Sequence, residues 1–298
     1  MAPTHPDFFP EQRRAFLLGL AYRILGSYAE AEDAVQDTFL KWNSRGPEAI
    51  DNPSAWLTTV CTRHCIDLLR AARKSRTEYV GSWLPEPIQM TGTDTPESEA
   101  ELSSSLSMAF LLLLERLAPK ERAAYLLHEI FDRPYPEVAL ALGVAEPACR
   151  KLVSRAKAKV GRGSARRVVP RSRQEALLAA FREAVETGST ARLVVLMSED
   201  IRLSADGGGK VPTLLETLAG KDAVLEFISR RLRDYWKQYD DWLITRINGA
   251  AGILLSENGR VVVSVSFAYD DRARLARIFV TRNPDKLAHL PHPGIDIR

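Results

Sequence analysis

Residues Tyr135–Lys159 restrict the folds open to this chain more tightly than any other stretch. Val138, Ala139 and Leu142 form a short apolar stripe at helical spacing, and Gly143 follows it. Glycine is the residue best suited to the left-handed conformation that ends a helix. Val144 can fill the gap between two helices, and Pro147 suits the first turn of a second one, where a missing N–H costs nothing. In that second helix Cys149, Leu152, Val153 and Ala156 face inward, and Arg150, Lys151, Arg155, Lys157 and Lys159 face outward. A short helix, a glycine turn and a longer basic helix make a helix-turn-helix pattern.

Charge along the chain sharpens this reading. No acidic residue occurs between Glu146 and Glu175, whereas ten lysines and arginines do, so the local positive field is uncompensated. A helix of this kind can lie in a DNA major groove; the competing reading is a merely solvated basic face. The overall charge of +3 says little. Residues 1–173 carry 24 basic against 21 acidic side chains, and residues 174–298 carry 17 of each. The C-terminal portion therefore has no electrostatic reason to touch nucleic acid. Further upstream a second basic run spans Arg63–Arg76, and the stretch from there to Arg116 has no cation and holds Glu78, Glu86, Asp94, Glu97, Glu99 and Glu101.

At 298 residues the chain can bury two or three real cores. No run approaches the roughly 18 consecutive apolar residues of a membrane span, and the N-terminus lacks the basic-then-apolar pattern of a secretory signal. The three cysteines, Cys61, Cys65 and Cys149, suit a reducing cytoplasm better than a disulfide scaffold. Cytoplasmic localisation, no membrane partner and a monomer when free are the corresponding expectations. Cys61, His64 and Cys65 recur at helical spacing and invite a metal reading, but a site needs a further ligand from elsewhere. Buried helix packing is the reading adopted, with no metal and no cofactor expected.

Residues 8–76 read as all-helical. Phe16, Leu17, Leu20, Ile24 and Leu25 form a stripe that stops at Gly26, and Ser27 with Glu30 forms a capping-box signature. The helix so opened buries Val35, Thr38, Phe39 and Trp42 and turns Glu32, Asp33, Gln36 and Asp37 to its other face. After a loop at Asn43–Asn52, Pro53 begins a long helix with Leu57, Val60, Cys61, His64 and Leu68 inward and Arg63, Arg70, Arg73, Lys74 and Arg76 along its basic side. Residues 77–105 have linker composition, yet contain Trp83-Leu84-Pro85-Glu86-Pro87. A Trp-Leu pair between prolines is expected to dock on something. Two helices, Leu106–Leu117 and Glu121–Phe131, precede the helix-turn-helix, and a basic linker follows it.

From Gln174 the pattern changes to α+β, with helices over Ala176–Thr187, Ala191–Met197 and Val224–Tyr235. Ile201–Ser204 begins strand-like alternation, and Trp242–Ile247, Gly252–Glu257, Arg260–Tyr269 and Leu275–Thr281 alternate like strands of a curved antiparallel sheet, with Asn258-Gly259 as a hairpin turn.

These blocks resemble a known family. Residues 31–39, Ala-Glu-Asp-Ala-Val-Gln-Asp-Thr-Phe, resemble the second conserved region of bacterial sigma factors of the extracytoplasmic-function (ECF) class. Ala55-Trp56-Leu57 through Ile66-Asp67-Leu68-Leu69-Arg70 resembles the promoter-melting segment, and Leu117–Lys159 resembles region four, the reader of the −35 element. The remainder resembles a SnoaL-like (NTF2-like) cone. Sigma factors with this fused domain also show Trp83–Pro87, Asp206-Gly207-Gly208-Gly209-Lys210 and Asn283-Pro284-Asp285-Lys286-Leu287, all intact here.

The resemblance implies two all-α sigma domains, the second a helix-turn-helix, followed by an α+β cone. The divisions are 1–77 (region 2), 78–105 (acidic linker), 106–163 (region 4), 164–173 (basic linker) and 174–298 (regulatory domain). It implies a non-catalytic transcription factor of stress-response type that binds core RNA polymerase and promoter DNA and helps open the duplex. Glu32, Asp33, Gln36 and Asp37 would dock on the clamp helices of the largest polymerase subunit. Arg63, Arg70, Arg73, Lys74 and Arg76 would contact the −10 region, mostly through phosphates. The Asn43–Asn52 loop would hold a flipped base. His64 stands where many relatives have Asn, which puts a base-reading role for it in doubt. Arg150, Lys151, Ser154 and Arg155 would serve the −35 element, on a helix whose Ala145 replaces the usual Ser cap.

Trp83–Pro87, Asp206–Lys210 and Asn283–Leu287 would join the C-terminal domain to the sigma domains and linker, setting the spacing of the two DNA readers. Two other classes remain open. One is a ligand-sensing DNA-binding repressor; the other is a cyclase or isomerase with a DNA-binding appendage, for which Asp206, Asp222 and Tyr269 are the acid–base candidates.

Overall fold

The computed structural model describes residues 11–46, 50–76, 78–89, 105–161 and 169–290. The chain forms two units, Met1–Thr77 with Leu113–Arg162, and Glu78–Leu112 with Gly163–Arg298.

In the first unit, α1 (Glu11–Leu25) ends at Gly26, whose φ of 72° is left-handed, and Ser27 Oγ accepts the Glu30 N–H at 3.2 Å to cap α2 (Tyr28–Arg45). That cap was legible in the sequence. α2 buries Ala31, Ala34, Val35, Thr38 and Trp42, with Phe39 only half-buried. Asn52 Oδ1 accepts the Ala55 N–H at 3.0 Å and so opens α3 (Pro53–Arg76), a cap at the end of the segment whose composition predicts a loop. α3 buries Leu57, Cys61, Cys65, Ile66 and Leu69, whereas Val60, His64 and Leu68, expected inward, are half-buried. α3 packs against α1 and α2 and also against the helix Tyr135–Leu142, so its buried band is wider than one stripe and turned from the expected one.

α4 (Met108–Leu114) is shorter than its apolar run suggests. α5 (Pro119–Tyr125) continues into a π-helical turn at Leu126–Ile130. α6 (Tyr135–Leu142) and α7 (Glu146–Val160) form the helix-turn-helix. Gly143 joins them at φ 60°, ψ 49°, the left-handed conformation its position demands, and the side chain of Ala145 makes no capping bond for α7.

The second unit contains α8 (Arg171–Thr187), α9 (Ala191–Val194), β1 (Met197–Asp206), β2 (Leu218–Ala219) and α10 (Lys221–Glu226). α10 runs through a π-helical turn, Phe227–Leu232, into α11 (Arg233–Trp236). Then come β3 (Asp241–Ile247), β4 (Ala250–Glu257), β5 (Arg260–Tyr269), β6 (Leu275–Thr281) and α12 (Pro284–Leu287). The strand order is β2-β1-β6-β5-β4-β3. One expectation needs correction: the sheet is mixed, because β1 and β6 pair in parallel while the other pairs are antiparallel. Alternation along a strand reports which face is buried, not the direction of its neighbour. The helix expected over Ala191–Met197 also stops early, and Met197 already belongs to β1.

Register shifts at Leu255/Ser256 and Ala268/Tyr269 bend the sheet. One face packs Ile201, Ile253, Val265 and Ile278 against Phe181 and Ile228 from the helices; the other carries Ile247 and Leu254 under Leu287 and Leu290. Gly252 permits this closeness, since a Cβ there would lie 2.8 Å from the Val265 carbonyl oxygen.

Candidate functional site

The helix-turn-helix presents the residues that its pattern selects. Arg150, Lys151, Ser154 and Arg155 are all exposed on α7, while Cys149, Val153 and Ala156 are buried beneath them. Arg150 pairs with Glu146 one turn earlier at 2.6 Å and lies 4.1 Å from the centre of the Tyr135 ring. Lys157 and Lys159 reach Glu129 at 2.9 Å and Glu121 at 2.6 Å, and Arg155 Nε stands 3.6 Å from Glu121. Burial alone would raise the Glu121 carboxyl, but Lys159 and the Ala118 N–H hold it below its ordinary range. The α7 cations of these pairs stay at least 46% exposed, so each pair is weak and can be exchanged for a phosphate.

The cations of α3 are engaged differently. Arg63 donates from Nε and Nη2 to the Ala141 and Leu140 carbonyls, both at 2.9 Å, at the C-terminal end of α6, where a cation also meets the negative end of the helix dipole. Arg73 donates to the Glu115 carbonyl at 3.2 Å and to the Leu117 carbonyl. Arg76 pairs with Glu115 at 2.7 Å and donates to the Leu25 carbonyl at 2.8 Å. Arg70, paired with Asp67 at 2.8 Å, stays on the surface; Lys74 lies on the same helix.

The sequence reading missed the centre of this arrangement. Glu115 also binds Arg122, which is 1% exposed and donates to the Ile24 carbonyl at 2.7 Å. Burial would raise the Glu115 carboxyl, yet the Arg122 and Arg76 guanidiniums hold it below its ordinary value. Glu32, Asp33, Gln36 and Asp37 are exposed together on α2, and Asp37 meets His64 Nε2 at 3.2 Å. Cys61 and Cys65 are buried side by side in α3. In the loop before α3, residues 47–49 lie outside the described residues.

In the second unit three separated motifs converge on one carboxylate. Asp206, at the end of β1, is fully buried and pairs with Lys286 of α12 at 2.7 Å. It also accepts the Tyr79 hydroxyl at 2.5 Å, the Leu84 N–H at 2.8 Å and the Gly208 N–H at 3.0 Å. Lys286 Nζ donates to the Leu84 carbonyl at 2.5 Å and lies 4.4 Å from the Trp83 ring centre and 5.1 Å from that of Tyr79. Both backbone groups of Leu84 are therefore held by one ion pair. Asn283 donates to the Tyr79 hydroxyl at 2.9 Å and caps α12 through the Asp285 N–H. Burial first, and then the Asp206 carboxylate, push the Tyr79 phenol up, so it remains a proton donor.

Gly208, at φ 61°, packs so closely on Asn283 that a Cβ would overlap the amide, and Gly207 has the Val211 carbonyl 2.6 Å from where a Cβ would be. Gly209 lies against Val80, and Lys210 pairs with Asp285 on the surface. Leu84, Pro85, Glu86 and Pro87 are buried, as expected of a docked segment. Beyond them Ile88 exchanges two hydrogen bonds with Asn248, and Gln89 adds a bridge to β3. Residues 90–104 of the expected linker lie outside the described residues. Tyr79 was not singled out in the sequence, since nothing local distinguishes it from any linker tyrosine.

A cavity of the second unit lies on the opposite face of the sheet, and Asp206, Asp222 and Tyr269 are all absent from its lining. Among the described residues no helix is long and apolar enough to cross a membrane.

Comparison with known proteins fits this geometry. Residues 11–75 match the family model for sigma-70 region 2, and residues 107–160 match that for sigma-70 region 4. The chain is 37% identical over 229 residues to the ECF RNA polymerase sigma factor SigJ of Mycobacterium tuberculosis, spanning 76% of this chain and 72% of that protein. It is 30% identical over 242 residues to the probable ECF sigma factor SigI of the same species, spanning 74% and 83%. The crystal structure of M. tuberculosis SigJ superposes with a TM-score of 0.72 at 31% identity, covering 95% of this chain and 98% of that one. Two sigma regions with an exposed basic recognition helix, followed by a SnoaL-like α+β cone, place this chain in the ECF family of RNA polymerase sigma factors.

Proposed function

We propose that this sigma factor, which serves transcription initiation with core RNA polymerase on promoter DNA, is governed in cis by its own C-terminal unit. The observation that carries the reading is the grip of Asp206 and Lys286 on both backbone groups of Leu84. Leu84 belongs to the segment that connects the two DNA-reading regions, so the C-terminal unit controls the free length of that connection. A tethered partner acts at high effective concentration, and a modest interface suffices. In this role the C-terminal unit regulates rather than catalyses. The absence of Asp206, Asp222 and Tyr269 from the lining of its cavity supports that reading.

The division of labour among the readers follows from exposure. Arg150, Lys151, Ser154 and Arg155 serve the −35 element, and Glu32, Asp33, Gln36 and Asp37 serve the polymerase clamp helices. Arg63, Arg70, Arg73, Lys74 and Arg76 serve the −10 region. For Arg63, Arg73 and Arg76 that duty requires exchanging carbonyl and carboxylate acceptors within the unit for phosphates. The test is run-off transcription with core polymerase. Full-length protein is compared with a chain ending at residue 173 and with Leu84→Pro, which removes the N–H that Asp206 accepts. Cis control predicts altered promoter-dependent output in both; identical output from all three sinks it.

A further inference from the structure

The side chains that α7 offers to the −35 element are not equally free. Among the described residues, Arg150 alone of Arg150, Lys151, Ser154 and Arg155 stacks on an aromatic ring. Its guanidinium carbon lies 4.1 Å from the centre of the Tyr135 ring. The His128 ring centre lies 3.9 Å from the same point, with the two ring planes 31° apart. At these separations both groups are stacked on the Tyr135 ring rather than set at its edge. Glu146 Oε1 holds Arg150 from the side, accepting from Nε at 3.2 Å and from Nη2 at 2.6 Å. Arg150 is still 57% exposed, and its Nη1 makes no hydrogen bond among the described residues.

The Tyr135 ring is itself backed by a built support. Tyr135 is the first residue of α6, and His128 sits in the π-helical turn Leu126–Ile130, closed by the Phe131 N–H on the Leu126 carbonyl at 3.0 Å. A π turn adds one residue to a helical turn and recurs at functional sites. His128 Nδ1 lies 2.8 Å from the Arg133 carbonyl oxygen and donates to it, since a carbonyl only accepts. The adjacent Glu129 reaches Lys157 of α7 at 2.9 Å. Three consecutive segments therefore converge on one exposed cation. An arginine on a helix surface samples many rotamers, and a base contact must freeze them. Here the ring and Glu146 restrict them before DNA arrives. The free Nη1 and the second hydrogen of Nη2 form the fork that matches O6 and N7 of guanine in the major groove.

We propose that Tyr135, backed by His128, is a positioning residue for promoter recognition. It presets Arg150 for a bidentate contact with a guanine edge, so part of the sequence specificity of α7 resides in the first turn of α6. This rests on the −35 role of α7. Tyr135 acts through Arg150, and the ring rather than the hydroxyl makes both of its contacts.

The test uses holoenzyme assembled from the full-length protein and core polymerase. Duplexes are selected from a library randomised across the −35 element, and the preference at each base pair is measured by competition. Arg150→Ala should abolish the preference at one G·C pair. Tyr135→Leu should lower the preference at that same pair by about fivefold or more and leave the salt slope unchanged, because the phosphate contacts remain. Tyr135→Phe, which keeps the ring, should match the parent. Adding Tyr135→Leu to Arg150→Ala should change nothing further, as expected of two residues acting as one unit. His128→Gln removes the backing ring but can still donate to the Arg133 carbonyl. It should relax the same pair, and it carries the test if Tyr135→Leu does not fold.

The proposal is overturned if Tyr135→Leu, or His128→Gln in its place, keeps the parent preference while Arg150→Ala loses it. It is equally overturned if Tyr135→Leu weakens every base pair alike, as general loosening of the helix-turn-helix would, or if Tyr135→Phe loses the preference as Tyr135→Leu does. If Arg150→Ala itself keeps every preference, the −35 reading of Arg150 falls and the proposal falls with it.

Discussion

Two helices of the first unit, α3 and α7, are about equally basic in sequence, yet their charges have different fates. On α7 the cations stay largely in solvent and pair with carboxylates one turn away or on the neighbouring α5 segment. On α3, Arg63, Arg73 and Arg76 donate to main-chain carbonyls at the ends of other helices and to the half-buried Glu115. The first set is free to meet phosphate at little cost; the second must first leave satisfied acceptors behind. Lys286 is the extreme of the second kind, a cation enclosed with its partner carboxylate. Counting lysines and arginines therefore locates a nucleic-acid surface only where the tertiary structure leaves them outside.

Four substitutions test that contrast, beginning with the largest expected effect. Lys286→Met leaves Asp206 as a fully buried charge without its counter-ion and should cost about 3–5 kcal/mol, read by urea unfolding of the full chain. A loss under ~1 kcal/mol would mean that the pair is not as enclosed as its geometry says. Glu115→Gln removes the shared anion of Arg76 and Arg122 and should cost roughly 1–3 kcal/mol at neutral pH.

The same carboxylate gives a pH signature. Its folded-state pKa lies below that of the unfolded chain, so its contribution is fully present above the ordinary glutamate value, about 4.3. That contribution is lost as pH falls through the folded pKa. Glu115→Gln should flatten this acid limb, and an unchanged limb would assign it to other carboxylates.

Arg63→Ala removes two donors from the C-terminal end of α6 and should cost about 1 kcal/mol, with hydrogen exchange at the α6 amides as the local readout. Arg155→Ala on α7 should move stability by no more than about 0.5 kcal/mol. It should nevertheless lower the salt dependence of promoter binding by the holoenzyme by about one unit of slope. An unchanged slope there, or a clear loss of stability, would place Arg155 with the α3 arginines.

Legibility followed the range of the interactions. The Ser27 cap, the Gly143 turn, the inward Cys149–Val153–Ala156 stripe and the Asn258-Gly259 hairpin are decided within four residues or so. Sequence pattern locates all of them. The Asn52 cap was equally local but was hidden by a loop-like composition around it. The inward face of α3 was only partly legible, because contact with α1, α2 and α6 together buries Ile66 and Leu69, which one stripe does not predict. Trp83–Pro87 was legible as a segment that must dock, since exposing it is costly. Its partner motifs were named only by the family resemblance; no local pattern shows them, because Asp206 and Lys286 lie more than a hundred residues further along.

By itself, the sequence determined the helices, the helix-turn-helix, the change to α+β character near residue 174 and the ordered motifs of an ECF sigma factor. These rest on backbone conformation and apolar periodicity, which neighbouring residues set. Only the tertiary structure decided that β1 and β6 run in parallel and that Arg63, Arg73 and Arg76 are engaged while Arg155 stays largely exposed. It alone brought Tyr79, Leu84, Asp206, Asn283 and Lys286 to one buried point. The physical reason is that a charge or a strand edge is satisfied by whatever partner the fold delivers. Delivery across a hundred residues leaves no periodic trace in the chain.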